Sequence, residues 1–227
     1  MKSILSLFAA CFLTLSTFAQ FGINAGYKSL NAPDWDDQTP NDFVSDGFKV
    51  GLDYWFRLKN YRVEFTPEIS YSQFESSHDL GVADGQLSTY NLRFIGLHAN
   101  TNIYVFDFEG DCDCPTWKKD GGIFQKGFFL QVSPGISRVE TEFENSFSGD
   151  QSQSETIFSL GIGAGLDIGV HPIVTITPLV NFHRYFDLNW ENLFNSLSAT
   201  DNFETENSSS INQWFLGLKV GIRLDER

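Results

Sequence analysis

His183 is the residue whose type and setting come nearest to catalytic chemistry. It shares one face of a strand-like segment with Tyr185 and Asp187, a grouping in which an imidazole could act as a general base. No Gly-x-Ser-x-Gly, paired-histidine or phosphate-loop motif accompanies it, and the other three histidines lack the spacing of metal ligands. We therefore interpret His183 as structural. The sequence predicts no catalytic, cofactor-binding or metal-binding residue, and the protein is not expected to be an enzyme.

Two cysteines, Cys112 and Cys114, lie in the run Asp111-Cys112-Asp113-Cys114-Pro115. In an exported protein they would meet an oxidising compartment, so a local disulfide is the first interpretation. The ring it would close is small and removes little chain entropy, which argues against a stabilising purpose. Free thiols are the second interpretation. A metal site is the third, because two soft ligands without a histidine are too few to specify a metal.

Residues 1–19 have the pattern of a cleaved signal peptide. Lys2 supplies a short basic region, residues 4–15 form an apolar run, and Thr17-Phe18-Ala19 has small residues at the positions that specify cleavage. We place the cleavage between Ala19 and Gln20. Residues 20–227 are then expected to form one exported domain.

The composition narrows the class of that domain. The formal net charge is −14 and only 15 residues are Lys or Arg, which argues against binding to nucleic acid. With 15% aromatic and 19% charged residues, the chain suits one β-rich domain. Beyond residue 19 no segment has the roughly 18 consecutive apolar residues that a membrane-spanning helix needs.

Apolar and polar residues alternate with a period of two along most of the chain, which is typical of strands with one apolar face. Several of these runs are longer than the five or six residues of an average soluble strand, and they match the roughly nine to eleven tilted residues that cross a bilayer. The sequence therefore predicts an all-β fold, an eight-stranded antiparallel up-and-down transmembrane β-barrel. The eight predicted strands are residues 21–28, 48–58, 61–74, 89–106, 126–139, 157–170, 174–185 and 213–224.

The connections support this topology because long and short ones alternate, as they do in outer-membrane barrels. The short ones fall at residues 59–60 and 171–172, whereas residues 107–125 form a long exception. Three strands contain a proline, Pro67, Pro134 or Pro178, at a similar height. Each proline forfeits a ladder hydrogen bond, so we expect a β-bulge beside it. The other long connections are residues 29–47, 75–88, 140–154 and 188–212.

The chain resembles the outer-membrane β-barrel domain family common in Bacteroidota, which is similar in shape to porin-family and outer-membrane protein A-like barrels. Four segments carry the resemblance: Thr17-Phe18-Ala19-Gln20, Phe21-Gly22-Ile23-Asn24-Ala25-Gly26, Thr66-Pro67-Glu68-Ile69-Ser70-Tyr71, and Gly217-Leu218-Lys219-Val220-Gly221-Ile222-Arg223-Leu224. It covers essentially the whole chain after residue 19. It implies an outer-membrane address, contact with outer-membrane lipid and lipopolysaccharide, and insertion by the outer-membrane assembly machinery.

An eight-stranded barrel has an interior just wide enough for side chains, so we expect a filled lumen and a monomer with a structural or surface-binding role. Glycine rows such as Gly161, Gly163 and Gly165 suit a crowded lumen. A narrow ion or small-solute channel is the alternative function. A membrane-embedded enzyme and a soluble, secreted lipocalin-like binder are weaker alternatives. The charged residues predicted to face inward and to form a salt-bridged plug are Lys49, Asp53, Arg57, Arg62, Glu64, Glu68, Arg93, Asp167, Lys219 and Arg223.

The long connections are rich in carboxylates, which are natural ligands of divalent cations. Their spacing matches no calcium-binding loop, so we interpret them as solvated loop acids. The acids concerned are Asp34, Asp36, Asp37, Asp42, Asp46, Glu191, Asp201, Glu204 and Glu206.

Overall fold

The structure is a computed structural model that describes residues 20–32, 46–58, 61–79, 87–108, 122–144, 151–189 and 208–223. Within these ranges the side chains of residues 76–79, 87–90, 143–144, 151 and 223 are not described. The predicted signal peptide and the pair Cys112 and Cys114 lie outside the described residues.

Ten strand segments and one short helix make up the described chain. The helix α1 (Ile123–Gly127) is five residues long and leads directly into a strand. No helix among the described residues has the length and hydropathy needed to cross a membrane. The strands are β1 (Gln20–Asn31), β2 (Asp46–Tyr54), β3 (Phe56–Arg57), β4 (Val63–Asp79), β5 (Leu87–Ile103), β6 (Phe128–Glu144), β7 (Gln151–Leu166), β8 (Ile168–His171), β9 (Val174–Asn189) and β10 (Ser208–Arg223).

The strand pairing closes the sheet into a barrel. Successive strands pair antiparallel, and β10 pairs with both β9 and β1, which joins the two edges. The strand β3 continues β2 beyond Trp55, and β8 continues β7 beyond Asp167, so the barrel wall has eight strands. The predicted eight-stranded antiparallel up-and-down barrel is therefore confirmed. Gln20 pairs with Arg223 at what we call the terminus end, and we call the opposite end the loop end.

The three strand prolines lie on the outward face without the predicted bulges. In an antiparallel pair the N–H and C=O of one residue point to the same neighbouring strand, so a proline loses its pairing on one side only. Beside each proline the ladder skips two pairs and resumes in the same register, so the bulge prediction is wrong. The flanking pairs are Asp53↔Glu68 and Phe56↔Phe65 around Pro67, His98↔Gly135 and Thr101↔Val132 around Pro134, and Gly165↔Leu179 and Ile168↔Ile176 around Pro178.

An apolar band surrounds the terminus-end part of the barrel. Its outward side chains are apolar apart from Thr101, and many are highly exposed, for example Leu216 at 65% and Ile162 at 62%. In six strands the band covers nine residues, which matches the strand length that crosses a bilayer. It occupies residues 21–27, 48–58, 63–71, 95–103, 128–136, 158–166, 174–182 and 214–222.

Beyond the band the strands continue toward the loop end with the opposite polarity. In β4 the outward residues change from Ile69 and Tyr71 to Gln73 and Glu75, while the inward residues change from Ser72 to Phe74. On every strand the first outward residue beyond the band is polar, so one barrel carries two amphipathic patterns in series. The first outward residues beyond the band are Ser29, Asp46, Gln73, Arg93, Arg138, Thr156, Arg184 and Asn212.

This change of polarity explains why the strands are longer than predicted. The segments 75–79 and 140–144, predicted as connections, belong to β4 and β6. Their described outward residues, Glu75, Glu140 and Glu142, are polar, so a search for outward apolar residues ends too early. The extensions reach eight residues in β4, or roughly 26 Å of strand at about 3.3 Å per residue.

Candidate functional site: the barrel lumen and its loop-end rim

A central charge cluster, formed by Asn24, Lys49, Asp53, Glu68 and Lys219, crosses the middle of the lumen. Asp53 and Glu68 are directly paired residues of β2 and β4, an arrangement that is unfavourable for two like charges. Lys49 Nζ lies 2.5 Å from Glu68 Oε1, and Lys219 Nζ lies 2.7 Å from Asp53 Oδ1. Asn24 donates to Glu68 at 3.0 Å and to Asp53 at 3.5 Å. Each carboxylate thus has its own lysine and shares one amide donor.

A second cluster, formed by Arg57, Arg62, Glu64, Tyr104, Asp107, Asp167 and Thr177, fills the terminus end. Arg57 pairs with Glu64 at 2.7 Å, and Arg62 pairs with Asp107. The Tyr104 hydroxyl contacts Glu64 at 2.9 Å and also hydrogen-bonds to Asp167. The Arg62 guanidinium lies 4.0 Å from the centre of the Tyr104 ring, so Arg62 makes a cation–π contact in addition to its ion pair.

Lys28 is a buried cation without a carboxylate partner among the described residues. Its Nζ is 2.5 Å from Gln213 Oε1 and 3.5 Å from the Tyr185 hydroxyl. The rings of Tyr185 and Phe94 lie 5.6 and 5.9 Å from it, within cation–π range. Lys28 therefore marks the boundary between the polar lumen and the apolar layer above it.

His183 is inward and buried, but it is not arranged as a general base. Its Nε2 lies 3.0 Å from Ser133 Oγ, and its ring packs 5.2 Å from the ring of His98. Asp187, which the sequence placed beside it, is exposed and has a positive φ of 54°. Gly161 makes room for the imidazole, since a methyl group there would lie 2.5 Å from His183 Cδ2.

An apolar core fills the loop end of the lumen. Phe94 lies at its centre, with ring centroids 5.7 Å from Phe74 and 5.1 Å from Tyr185. Leu92, Phe74 and Ile211 are 0% exposed. The loop-end core consists of Leu30, Ala32, Phe74, Leu92, Phe94, Val139, Ile157, Tyr185, Leu188 and Ile211.

A cavity of about 30 Å³ lies near the terminus end, between Trp55, Glu64, Asp167 and Lys219. That volume holds about two or three waters, since one water needs roughly 10–15 Å³. No group of three or more His, Cys, Asp or Glu side chains in the described ranges is placed to hold a metal ion.

The predicted charged residues divide into three groups by position. Arg93 is not in the lumen: it is on the outward face, where it pairs with Glu142 at 2.9 Å. The sequence assigned it inward because charge elsewhere marks the inner face, whereas Arg93 lies just beyond the apolar band, where the polarity is reversed. The side chain of Arg223 is outside the described residues. The eight residues that do line the lumen are Lys49, Asp53, Arg57, Arg62, Glu64, Glu68, Asp167 and Lys219.

Sequence reasoning missed Lys28, Asp107 and the loop-end core. Lys28 is a single cation in a short strand, and Asp107 lies in a segment that reads as a loop. The core leaves a signal in the sequence, because the apolar residues change from one face of the strand to the other between Tyr71 and Phe74 in β4 and between Phe94 and Ile95 in β5.

No family model and no curated protein sequence matches the chain. Among solved structures, similarity is found to the attachment invasion locus protein Ail of Yersinia pestis in complex with the heparin analogue sucrose octasulfate. The identity is 14%, the match covers 90% of this chain and 99% of that chain, and the TM-score is 0.49. Neisserial surface protein A is 12% identical over 90% of this chain and 96% of that chain, with a TM-score of 0.49. The outer membrane protease OmpT of Escherichia coli is 8% identical over 91% and 97%, with a TM-score of 0.43.

The strand pairing of this chain defines its class. It is a small, closed, eight-stranded antiparallel β-barrel whose described lumen is filled by ion pairs and by an apolar core.

Proposed function

We propose that the protein is an integral outer-membrane barrel with a filled lumen and a structural or surface-binding role. The observation that carries this proposal is the apolar band. It leaves 23 large hydrophobic side chains exposed to the surroundings, and nine-residue segments of it match the thickness of a bilayer. A soluble barrel would turn these residues inward, since large contiguous apolar surfaces are rare on soluble monomers.

A role at the cell surface is supported by the strand extensions beyond the band. Their described outward residues are polar apart from Phe186, and they have their own apolar core, so they can stand in water as a rigid stem for the loop-end connections. These connections, residues 33–45, 80–86, 145–150 and 190–207, contain ten Asp and Glu residues and no Lys or Arg. We infer that the loop end faces the exterior and that any surface partner meets an acidic face.

A narrow channel is the second candidate function. The observation that favours it is the polar lining of the lumen on its terminus-end side. Ion pairs such as Arg57–Glu64 and Lys49–Glu68 line this part of the barrel, and a small cavity lies beside Glu64, Asp167 and Lys219. The loop-end core stands against conduction because Phe74, Phe94 and Tyr185 fill the path with packed rings. We therefore rank the channel below the closed barrel.

Expression of the precursor in a Gram-negative host tests the proposal. We expect the protein in the outer-membrane fraction, with a detergent-gel mobility that shifts when the sample is boiled, because a closed barrel resists unfolding by the detergent. The same purified protein is expected to show no single-channel steps in planar bilayers. A soluble periplasmic protein without a heat shift would contradict the membrane barrel, whereas a shifted protein with steady conductance would favour the channel.

A further inference from the structure

Three arginines occupy one equivalent position on the outer wall of the barrel. Arg93 on β5, Arg138 on β6 and Arg184 on β9 are each the first outward residue beyond the apolar band. They lie on the contiguous wall formed by β5, β6, β7 and β9. The equivalent positions on β1, β2, β4 and β10 hold Ser29, Asp46, Gln73 and Asn212. We call the three residues the arginine collar, and it is confined to one side of the barrel.

The strand register brings the collar residues onto one patch. Arg138 pairs with Ile95 on β5 and with Thr156 on β7, and Arg93 pairs with the neighbouring Glu140. Arg184 pairs with Leu160 on the other edge of β7. Only the single strand β7 thus separates Arg138 from Arg184, and the aromatic ring of Phe158 belongs to that strand.

The guanidinium groups are available to a ligand. Arg138 is 60% exposed, and its contacts with Glu140 at 3.5 Å and Ser154 at 3.0 Å are those of a surface residue. Arg93 pairs with Glu142, which is itself 41% exposed, so this ion pair is of the weak, exchangeable kind. Arg184 lies 5.9 Å from the centre of the Phe186 ring and has no carboxylate at ion-pair distance in the described part of the chain. These contacts therefore position the collar arginines, and neighbouring carboxylates do not fully neutralise their positive charge.

The charge distribution makes the collar distinctive. The chain carries a formal net charge of −14, and the loop-end connections contain no Lys or Arg. The collar consequently supplies the outward cations of this half of the barrel wall. Immediately below it are the apolar side chains Ile95, Ile136 and Phe182. A ligand that touches both surfaces must join an anionic group to an apolar chain.

We propose that the arginine collar binds the phosphate groups of outer-leaflet glycolipid headgroups while the acyl chains cover the band below. This inference rests on the proposed membrane location, because only a bilayer brings phosphates to that height. Arginine suits the task, since its guanidinium forms two parallel hydrogen bonds with phosphate oxygens. The one-sided collar then fixes which wall of the barrel holds the phosphorylated lipid.

The test compares full-length protein with the triple variant Arg93→Gln, Arg138→Gln and Arg184→Gln. The matched control is Lys126→Gln, which removes a cation from α1 at the terminus end. Each purified protein is titrated with diphosphorylated lipid A and with the same lipid after dephosphorylation, and bound lipid is counted by native mass spectrometry. Wild type and the control are expected to prefer the diphosphorylated lipid. The triple variant is expected to bind that lipid at least about tenfold more weakly, because a tenfold change in affinity corresponds to about 1.4 kcal/mol of binding free energy.

Separate outcomes distinguish the possible failures. Equal binding of both lipids by wild type, or undiminished binding by the triple variant, overturns the collar proposal. Displacement of the lipid by millimolar inorganic phosphate also overturns it, because a site for phosphate alone needs no membrane. The heat-dependent shift in gel mobility is measured for every protein. If the triple variant keeps this shift but no longer prefers the diphosphorylated lipid, the collar is supported. If wild type lacks the shift, the membrane barrel itself has failed.

Discussion

Replacing Lys49 with methionine is expected to destabilise the folded barrel by about 3–5 kcal/mol, the typical cost of stranding one partner of a buried ion pair. Lys49 is the cation of Glu68, at 2.5 Å, and both side chains are 4% exposed. Without it, the paired carboxylates of Asp53 and Glu68 would share the single cation Lys219. The measurement is the urea midpoint of unfolding, followed by tryptophan fluorescence in lipid vesicles.

The matched variant is Lys28→Met, which removes an equally buried lysine from the same lumen. Lys28 is held by Gln213 and Tyr185 rather than by a carboxylate, so its removal strands no charge. We expect its urea midpoint to stay the same or to rise, because the cost of burying an ammonium group disappears. Equal losses in the two lysine variants would show that the lumen responds to volume or net charge and would contradict the assigned ion pairs.

Replacing Phe94 with alanine is expected to cost about 3–5 kcal/mol, the usual range for a large aromatic residue removed from a packed core. Phe94 is 2% exposed and touches both Phe74 and Tyr185. Unfolding in urea measures the loss, and hydrogen exchange locates it. We expect faster exchange in the extensions of β4 and β5 beyond the band, with the band segments unchanged.

Ile95→Ala is the control for Phe94→Ala, because Ile95 is the next residue of β5 and is 47% exposed on the apolar band. A lipid chain can fill the space that this substitution leaves, so the expected loss is a small fraction of that for Phe94. If Phe94→Ala changed the midpoint no more than Ile95→Ala, the loop end would have no packed core and the closed-lumen account would fail.

The fold was predictable because its main signal is local. Alternation with a period of two needs no knowledge of distant residues, and the eight outward-facing runs can be found one by one in the sequence. The strand ends were harder, because beyond Tyr71 and Ile95 the outward residues become polar while the chain remains a strand. A change in the phase of the alternation marks these points. It predicts that the strand continues only if the outer wall is assumed to pass from lipid into water along the strand.

The lumen was predictable in composition but not in its pairs. That Lys49 reaches Glu68 depends on the register of β2 against β4, in which the residue paired with Lys49 is Ser72. Registers are set by contacts along whole strands, so single residues carry little information about them. Arg93 shows the other limit. An arginine on a strand indicates contact with water or an anion, but whether its side chain faces the lumen or the outside depends on whether the residue lies within or beyond the apolar band.

A nitroxide scan along β6 tests most directly whether one barrel carries an apolar band and, above it, a polar wall. Single cysteines are introduced from residue 130 to residue 142 after the three native cysteines are replaced by serine, and the labelled protein is reconstituted in lipid vesicles. At Leu130, Val132 and Ile136 we expect collisions with oxygen, which concentrates in lipid, and at Glu140 and Glu142 collisions with a water-soluble nickel complex. The inward Ser133 and Val139 should be shielded from both. Access of the nickel complex to the outward positions from 130 to 136 would contradict the membrane barrel.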